Sequence, residues 1–254
     1  MDEPVSAYKP EFCSEAQIGV MRVLVLSPHR DDAVFSLFFT LSELSRRGAQ
    51  ISVRNFFTDS NYAPHAGTHD AAAVSQIRKR EDRAALRRIH SGVRVLDSGL
   101  LDAPLRLGIP ARQVCYTEVR ECDIALLRSF IRPQAADLVF APLGLGGHVD
   151  HRTVRQAALL ELSRKRLAFY EDLPYTMWSQ DQLPSLLGEI ERQLDTILKP
   201  AEVQPDQSFF EKRSACARYR SQIRMDEANA MAAWSRRHGT AERIWLPRGV
   251  RLPL

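Results

Sequence analysis

The chain has 254 residues, of which 44% are hydrophobic and 26% are charged, so its composition excludes a disordered or fibrous protein and fits a globular one. Its net charge of +4, from 35 basic and 31 acidic residues, is small for a protein devoted to nucleic acid. No apolar stretch approaches the roughly 18 residues of a membrane helix, and the opening "MDEPVSAYKPEFC" lacks the basic and apolar regions of a signal peptide. We therefore expect a cytoplasmic protein with no nucleic-acid partner and no membrane span.

Strand and helix patterns alternate along the chain from residue 21. Residues 21–26, "MRVLVL", show almost no polar alternation, which is typical of a central parallel strand covered on both faces. A helix over 33–48 follows, and then come strand 51–58, helix 72–90, strand 93–97, helix 113–131, strand 136–142, a helix from about 151 and strand 167–172. This order predicts an α/β fold, Rossmann-like, with a mostly parallel sheet and helices on both faces.

The pattern beyond residue 180 is mostly helical. Apolar residues between Phe209 and Trp234 recur at helical spacing and predict one long helix, and residues 243–247, "RIWLP", predict a last strand. We see no internal repeat and no convincing linker, so we expect a loosely held tail over residues 1–20 and one domain over 21–254. The sequence leaves open whether the chain forms a homo-oligomer.

The four cysteines are Cys13, Cys115, Cys122 and Cys216. They are too scattered for a zinc cluster, and a secreted disulfide framework would be denser. Cys115 and Cys122 fall in the same predicted helix, about 10 Å apart along its axis, which is too far to bridge. We therefore predict reduced thiols.

Acidic and imidazole side chains follow two of the predicted strands where they end. The segment "LSPHRDDAV" places His29, Asp31 and Asp32 after the first strand, and "PLGLGGHVDH" places His148 and His151 after the fourth. The carboxyl ends of strands in an open parallel sheet meet at one crevice, so these segments should converge.

These residue types suit a catalytic zinc ion. Two imidazoles and one carboxylate, from His29, Asp32 and His151, would bind the ion and leave one position open for water. Asp31, adjacent to a ligand but pointing elsewhere, would take a proton from that water, and His148 as an imidazolium would stabilise an oxyanion. We therefore predict one Zn²⁺ per chain.

Each of these residues also has an ordinary structural explanation. An aspartate at a strand-to-helix junction is often an N-cap, and a lone histidine is more often a hydrogen-bonded structural residue. The glycine-rich segment before His148 could cradle a phosphate, but it lacks both the GxGxxG and the GxxxxGK[ST] patterns. His65 and His69 are spaced four apart in a loop of small residues, where a metal site is the weaker interpretation.

The motifs in combination resemble one known family. "SPHRDDAV" is similar to the PHxDD signature and "GHVDH" to the HxxH signature of the LmbE/PIG-L-like zinc-dependent N-deacetylases. "IRKREDRAALRRI", "FYEDLPY" and "YRSQI" resemble further segments of that family, so that the resemblance covers about residues 21–245. It implies the same roles for the same residues: His29, Asp32 and His151 as zinc ligands, Asp31 as general base and His148 as the oxyanion-stabilising residue.

Four further residues are candidates for substrate binding. Arg30 stands where family members often carry proline, as Ala33 stands in place of glutamate, and it would either meet an anionic substrate group or pair with a surface carboxylate. Glu81 falls on the predicted buried face of its helix, where an unpaired carboxylate is unfavourable, and Arg78 one turn earlier can pair with it. This pair either orients substrate or is purely structural.

Tyr170, the fourth of these candidates, ends a predicted strand at the same crevice, together with Glu171 and Asp172. Tyr170 would either contact substrate or pack in the core. Since the family acts on N-acetylglucosaminyl conjugates and related amides, the resemblance implies a metal-dependent deacetylase of a small-molecule N-acyl amino sugar or glycoconjugate. A hydrolase of a different N-acyl group and a catalytically inactive ligand-binding protein on the same fold stay open as alternatives, and a nucleotide-dependent Rossmann-like enzyme is a more distant one.

Overall fold

The apolar segment after residue 21 forms the central strand of a seven-stranded sheet in the computed structural model, which describes residues 20–132, 134–203, 209–237 and 242–253. The strands are β1 (Arg22–Ser27), β2 (Gln50–Asp59), β3 (Arg94–Leu101), β4 (Leu138–Pro142), β5 (Leu167–Tyr170), β6 (Leu198–Val203) and β7 (Glu242–Pro247). Their order across the sheet is β3-β2-β1-β4-β5-β7-β6. Strands β1 to β5 pair in parallel, and β7 runs antiparallel to both of its neighbours.

Helices cover both faces of this sheet. They are α1 (Asp32–Arg46), α2 (Ala71–Leu86), α3 (Ala103–Leu107), α4 (Glu121–Ile131), α5 (Val149–Glu161), α6 (Leu183–Leu194), α7 (Phe209–Cys216) and α8 (Met225–Arg237). Side chains alternate across β1, so Val23 and Val25 pack with α1, α2, α7 and α8, whereas Leu24 and Leu26 pack with α4, α5 and α6. The predicted fold class is therefore confirmed.

Glu242 at the start of β7 holds helix α1 in place through hydrogen bonds. The helix is kinked at Leu37, and the carboxylate of Glu242 accepts hydrogen bonds from the backbone N–H groups of Phe39 and Thr40, at 3.0 and 2.7 Å. The buried ammonium of Lys212 pairs with the same carboxylate at 2.9 Å. These bonds supply partners for backbone groups at the kink and fix the helix whose first turn carries Asp32.

Two predicted helices differ from the structure, and one strand was missed. The helix predicted over 113–131 begins only at Glu121, so Cys115 lies before it in a loop and the argument from spacing within one helix was wrong. The long helix predicted over 209–234 is interrupted between α7 and α8. An edge strand, β6, was not predicted.

The cysteines within the described residues, Cys115, Cys122 and Cys216, are free thiols. Cys13 and the predicted N-terminal tail up to residue 19 lie outside the described residues. No helix of the described chain is both long and apolar enough to cross a membrane.

The sheet order creates a crevice beside β1. The chain adds β2 and β3 on one side of β1 and then returns to add β4 on the other side. A reversal of this kind separates the loops that leave the carboxyl ends of the two central strands, and a ligand can bind between them. The loops after β1 and β4 carry the two predicted metal-binding segments.

Candidate metal centre

The loop after β1 is held by its own side chains. The hydroxyl of Ser27 donates to the carbonyl of His29 at 2.6 Å, and the backbone N–H of His29 donates to Oδ2 of Asp32 at 2.7 Å. Asp31 occupies the N-cap position of α1, but its side chain makes no capping hydrogen bond to the described first turn. The carboxylate of Asp31 is therefore available for other chemistry.

Glycines shape the loop after β4 because its backbone is left-handed at several positions. Gly144, Gly146 and Gly147 have φ values of 81°, 77° and 79°. A Cβ atom on Gly146 would lie 2.7 Å from the ring of Tyr175, so a larger residue there would displace that ring. The loop ends at His148, whose Nδ1 accepts the backbone N–H of Asp150 at 3.2 Å as the N-cap of α5.

Three predicted ligands meet between the two loops. Nδ1 of His29 lies 3.4 Å from Oδ2 of Asp32, and Nε2 of His151 lies 3.5 Å from Oδ1 of Asp32. One ligand atom from each residue lies within 4.8 Å of the other two. A tetrahedral zinc ion with bonds of about 2.1 Å separates its ligand atoms by about 3.4 Å, so the observed spacing fits zinc.

A second carboxylate holds the opposite nitrogen of each imidazole ligand. Oδ2 of Asp150 lies 3.0 Å from Nε2 of His29, and Oδ1 of Asp172 lies 2.7 Å from Nδ1 of His151. These contacts direct the remaining lone pairs, on Nδ1 of His29 and Nε2 of His151, toward Asp32. The Nε2 atom of His151 is buried and has no hydrogen-bond partner among the described residues, as a metal-binding atom would.

A second group of residues that could bind a metal ion shares one member with the first. His29, His148 and Asp150 also offer ligand atoms within 4.8 Å of one another. Both carboxylate oxygens of Asp150 are already used, however, because Arg106 donates to Oδ1 at 2.6 Å while His29 and the backbone of Ala103 contact Oδ2. The set with His151 therefore fits a metal ion better.

The charges of the site favour a cation at the ligand atoms. Burial lowers the pKa of His29, but the carboxylates of Asp150 and Asp32 outweigh it and raise this pKa to about 10. Burial raises the pKa of Asp32, but His151 and His29 lower it to about 2. Without a metal ion, the carboxylates of the site thus favour protonation of the imidazoles of His29 and His151, and a metal ion would replace those protons.

His148 differs from the two imidazole ligands. Burial, together with the neighbouring His29 and His151, lowers its pKa well below the usual value. Its Nδ1 accepts a hydrogen bond, so a neutral ring carries its proton on Nε2. These surroundings favour a neutral donor rather than the imidazolium that we expected from the sequence.

Asp31 and Arg78 lie together on the wall of a cavity beside the ligands. Nη2 of Arg78 lies 3.6 Å from Oδ1 of Asp31, and Nη1 donates to the hydroxyl of Ser60 at 3.1 Å. The cavity measures about 170 Å³. Its described walls are formed by His29, Asp31, Asp32, Phe35, Tyr62, Arg78, Asp102, Pro104, Ala111, Val114, His148, His151, Leu173, Pro174, Tyr175 and Gln222.

The other predicted substrate contacts lie outside these walls. Arg30 is buried and its Nη1 donates to Asp97 on β3 at 2.6 Å, so it pairs with a carboxylate, as one of the two interpretations has it, but with a half-buried one. Glu81 accepts hydrogen bonds from the backbone and hydroxyl of Ser221, at 2.9 and 2.6 Å, instead of forming the expected close pair with Arg78. Tyr170 is fully buried and its hydroxyl donates to the carbonyl of Leu26 at 3.0 Å.

The sequence analysis missed several residues of the cavity. Tyr175 stacks edge-on against His148 and His151, with ring centroids 6.0 and 5.5 Å apart. It closes the "FYEDLPY" segment, which was the one signal that could have indicated it. Gln222 stands within the "YRSQI" segment, which was not linked to a site, whereas Asp102 stands in a segment that carries no motif and only the fold brings it to the cavity.

Comparison with known proteins assigns the family. Residues 24–162, more than half of the chain, match the family model PIG-L, described as GlcNAc-PI de-N-acetylase. The chain belongs to the PIG-L family. The PIG-L match includes the segments of all three predicted zinc ligands, whereas Tyr175 and Gln222 line the cavity from beyond it.

A curated relative and two solved structures resemble this PIG-L protein. The 2'-N-acetylparomamine deacetylase of Streptomyces fradiae is 32% identical over 187 residues, which are 69% of this chain and 66% of that protein. This chain thus spans just under two thirds of that relative. A structure of a deacetylase–teicoplanin complex from the biosynthesis pathway of teicoplanin is 24% identical with a TM-score of 0.64, covering 89% of this chain and 98% of the other.

The N,N'-diacetylchitobiose deacetylase of Pyrococcus horikoshii, solved with its inhibitor MPG, is 21% identical with a TM-score of 0.59. The alignment covers 90% of this chain and 85% of that one. At this level of identity, the two solved structures establish a shared PIG-L fold and do not by themselves carry an activity.

Proposed function

We propose that this chain is a zinc-dependent N-deacetylase that acts on an N-acetylated amino sugar. One observation carries the proposal: on the wall of a cavity, Nδ1 of His29 and Nε2 of His151 lie 3.4 and 3.5 Å from the two carboxylate oxygens of Asp32, and one ligand atom of each residue lies within 4.8 Å of the other two. The family description and the deacetylase relatives agree with this chemistry.

The metal ion and Asp31 would divide the activation of water between them. Zinc supplies a Lewis acid that lowers the pKa of a water molecule and polarises the amide carbonyl. Asp31 lines the same cavity without contributing to the ligand set, so its carboxylate accepts the proton of the attacking water. The guanidinium of Arg78, 3.6 Å away, orients the Asp31 carboxylate.

His148 would stabilise the negative charge that develops on the carbonyl oxygen. Its Nε2–H is the group left to donate, because Nδ1 is occupied by the backbone of Asp150. The ring of Tyr175 packs against it and excludes water from that side. The departing amine then takes a proton and leaves as a free amino sugar, with acetate as the second product.

The charges along the cavity favour an amino sugar without a phosphate near the reacting amide. Among the described wall residues, Arg78 is the one arginine or lysine, and it already contacts Asp31 and Ser60. A phosphate group would need a free cation, whereas the carboxylate of Asp102 suits the ammonium and hydroxyl groups of an amino sugar. The curated relative is named for an N-acetylated amine of this kind, 2'-N-acetylparomamine.

Acetate release from a panel of N-acetyl amino sugars tests the proposal. The panel should contain N-acetylglucosamine, N,N'-diacetylchitobiose, 2'-N-acetylparomamine and matched N-butanoyl compounds. We expect acetate release that chelation abolishes and one equivalent of zinc restores. Release of the longer acid alone would replace the deacetylase with a hydrolase of another acyl group, and zinc binding without any hydrolysis would favour a ligand-binding protein.

A further inference from the structure

We infer that Arg106 is a positioning residue of the zinc site, acting on the metal ligand His29 through the carboxylate of Asp150. The inference rests on the proposed function, since it concerns the affinity of the same site for zinc. Arg106 lies on α3, outside both metal-binding motifs and outside the cavity wall.

Asp150 connects Arg106 to the metal ligand. Its carboxylate is fully buried, with Oδ1 2.6 Å from Nη2 of Arg106 and Oδ2 3.0 Å from Nε2 of His29. The backbone N–H of Ala103 donates to Oδ2 at 2.9 Å. The orientation of this carboxylate therefore decides which nitrogen of His29 carries the proton and which faces the metal position.

Arg106 is itself fixed by three further contacts. Its Nε donates to Asp123 at 3.0 Å, its Nη1 donates to the carbonyl of Leu101 at 2.7 Å, and its guanidinium lies 4.4 Å from the ring centroid of Phe57. Only a planar guanidinium can donate along all of these directions at once, and a lysine in this place keeps the charge but loses the fork. Because these contacts hold Arg106 against α3, α4 and β3, Arg106 in turn holds the carboxylate of Asp150 in one orientation.

Geometry and charge make opposite predictions for this residue, so they can be separated. If Arg106 acts by orienting Asp150, its loss leaves the carboxylate free to turn away from His29 and weakens zinc binding, typically by 10–100-fold. If Arg106 acts only through its charge, its loss removes a cation near the metal and strengthens zinc binding. The substitution Arg106→Lys isolates the geometric effect because the net charge is unchanged.

Arg120 offers a matched control. It donates to the same carboxylate of Asp123 through Nε and Nη2, at 3.0 and 2.8 Å, and it has no described contact with Asp150. Arg120→Lys therefore removes an arginine fork from Asp123 and leaves Asp150 untouched. A second variant, Arg106→Met, is suited to the apolar cavity beside this residue, lined by Phe57, Leu100, Leu126 and other side chains.

The experiment measures the zinc dissociation constant of each full-length protein by competition with a fluorescent chelator, with circular dichroism and melting temperature recorded for every variant. We expect wild type and Arg120→Lys to agree within about threefold, and Arg106→Lys and Arg106→Met to bind zinc 10–100-fold more weakly. Asp150→Asn should weaken binding similarly, and adding Arg106→Lys to it should have little further effect, because both act through one contact.

Wild-type zinc affinity in Arg106→Lys, or tighter binding in Arg106→Met, would overturn the inference and leave the proposed function intact. A wild-type chain that binds no zinc would instead overturn the proposed function, and the inference with it.

Discussion

Asp31 sits next to a predicted zinc ligand in the chain but turns its carboxylate toward Arg78, with 3.6 Å between Oδ1 and Nη2. Removing its basicity should therefore affect turnover and not metal binding. Asp31→Asn should lower kcat by about 10²–10⁴-fold, the range for loss of a general base, while zinc content stays at the wild-type value. Acetate release at saturating substrate, together with elemental analysis of the same sample, measures both.

Asp70→Asn is the control for this substitution. Asp70 caps α2 by accepting from the backbone of Ala73 at 2.8 Å, is exposed, and lies outside the described cavity wall. It should keep wild-type turnover, since asparagine also caps helices well. Normal turnover in Asp31→Asn would remove Asp31 as the base, and loss of zinc would make it a ligand.

At the residue scale, the sequence predicted the positions of those side chains that are fixed by residues close to them in the chain. His29 and Asp32 are three residues apart where the loop after β1 meets helix α1, and their motif brings them together without help from the rest of the fold. Arg30 depends instead on Asp97, which β3 supplies from 67 residues away, and Arg106 depends on the distant Asp150. Such partners leave no local pattern, so the sequence alone did not reveal these roles.

At the element scale, the glycine-rich turn after β4 has to place His148 and also leave room for Tyr175. Gly146→Ala would put a Cβ atom 2.7 Å from the Tyr175 ring, which packs on both His148 and His151. We expect at least a tenfold loss of kcat/KM and a lower melting temperature. Steady-state kinetics and thermal unfolding test both parts.

Gly249→Ala separates this contact from backbone strain. Gly249 has a φ of +90°, close to the +77° of Gly146, but a Cβ atom there would have nothing within 4 Å. It should lower stability by about 1 kcal/mol or more and leave kinetics unchanged, because only strain is introduced. Equal kinetic effects of the two substitutions would contradict the assigned role of Tyr175.

The break between α7 and α8 shows why one element was mispredicted. Apolar residues continue through it at helical spacing, and neither glycine nor proline marks it. The structure holds the break with groups from elsewhere: Glu81 accepts from Ser221, and Tyr219 donates to the carbonyl of Arg30 and to Asp82. Periodicity could not predict an interruption that distant residues stabilise.

At the scale of the whole molecule, the alternating pattern predicted the sheet and its crevice because each parallel strand needs a covering helix. The edge strand β6 was missed because Pro200 lies within it and half of its residues are exposed, which weakens a strand pattern. The position of the metal centre could be predicted from the order of the strands in the sheet. The cavity walls could not, because many of them come from segments spread along the chain from Tyr62 to Gln222.

Asp82 joins several elements and should make stability depend on pH. Its buried carboxyl accepts from Asn55 on β2 and from Tyr219, with Arg30 and Asp97 close by. Burial raises the pKa of Asp82 from 3.8 to about 7. Between pH 4 and pH 7, the unfolded chain releases this proton and the folded chain keeps it, so the free energy of unfolding falls as pH rises.

Asp82→Asn removes this dependence. The difference in unfolding free energy, variant minus wild type, should rise from pH 4 to pH 7, by at most about 1.4 kcal/mol per pH unit, and stay constant above pH 7. Urea denaturation at closely spaced pH values measures it. A difference that does not change between pH 4 and pH 7 would show that Asp82 ionises normally in the folded protein.

The measurement that tests the account most directly is a calorimetric zinc titration of the metal-free chain and of two variants, His151→Ala and His148→Ala. We predict one zinc per chain for wild type, the same for His148→Ala with its hydrolysis lost, and a large loss of affinity for His151→Ala. Zinc binding that depends on His148 and not on His151 would move the metal to the alternative set with Asp150, and no binding to wild type would contradict the account altogether.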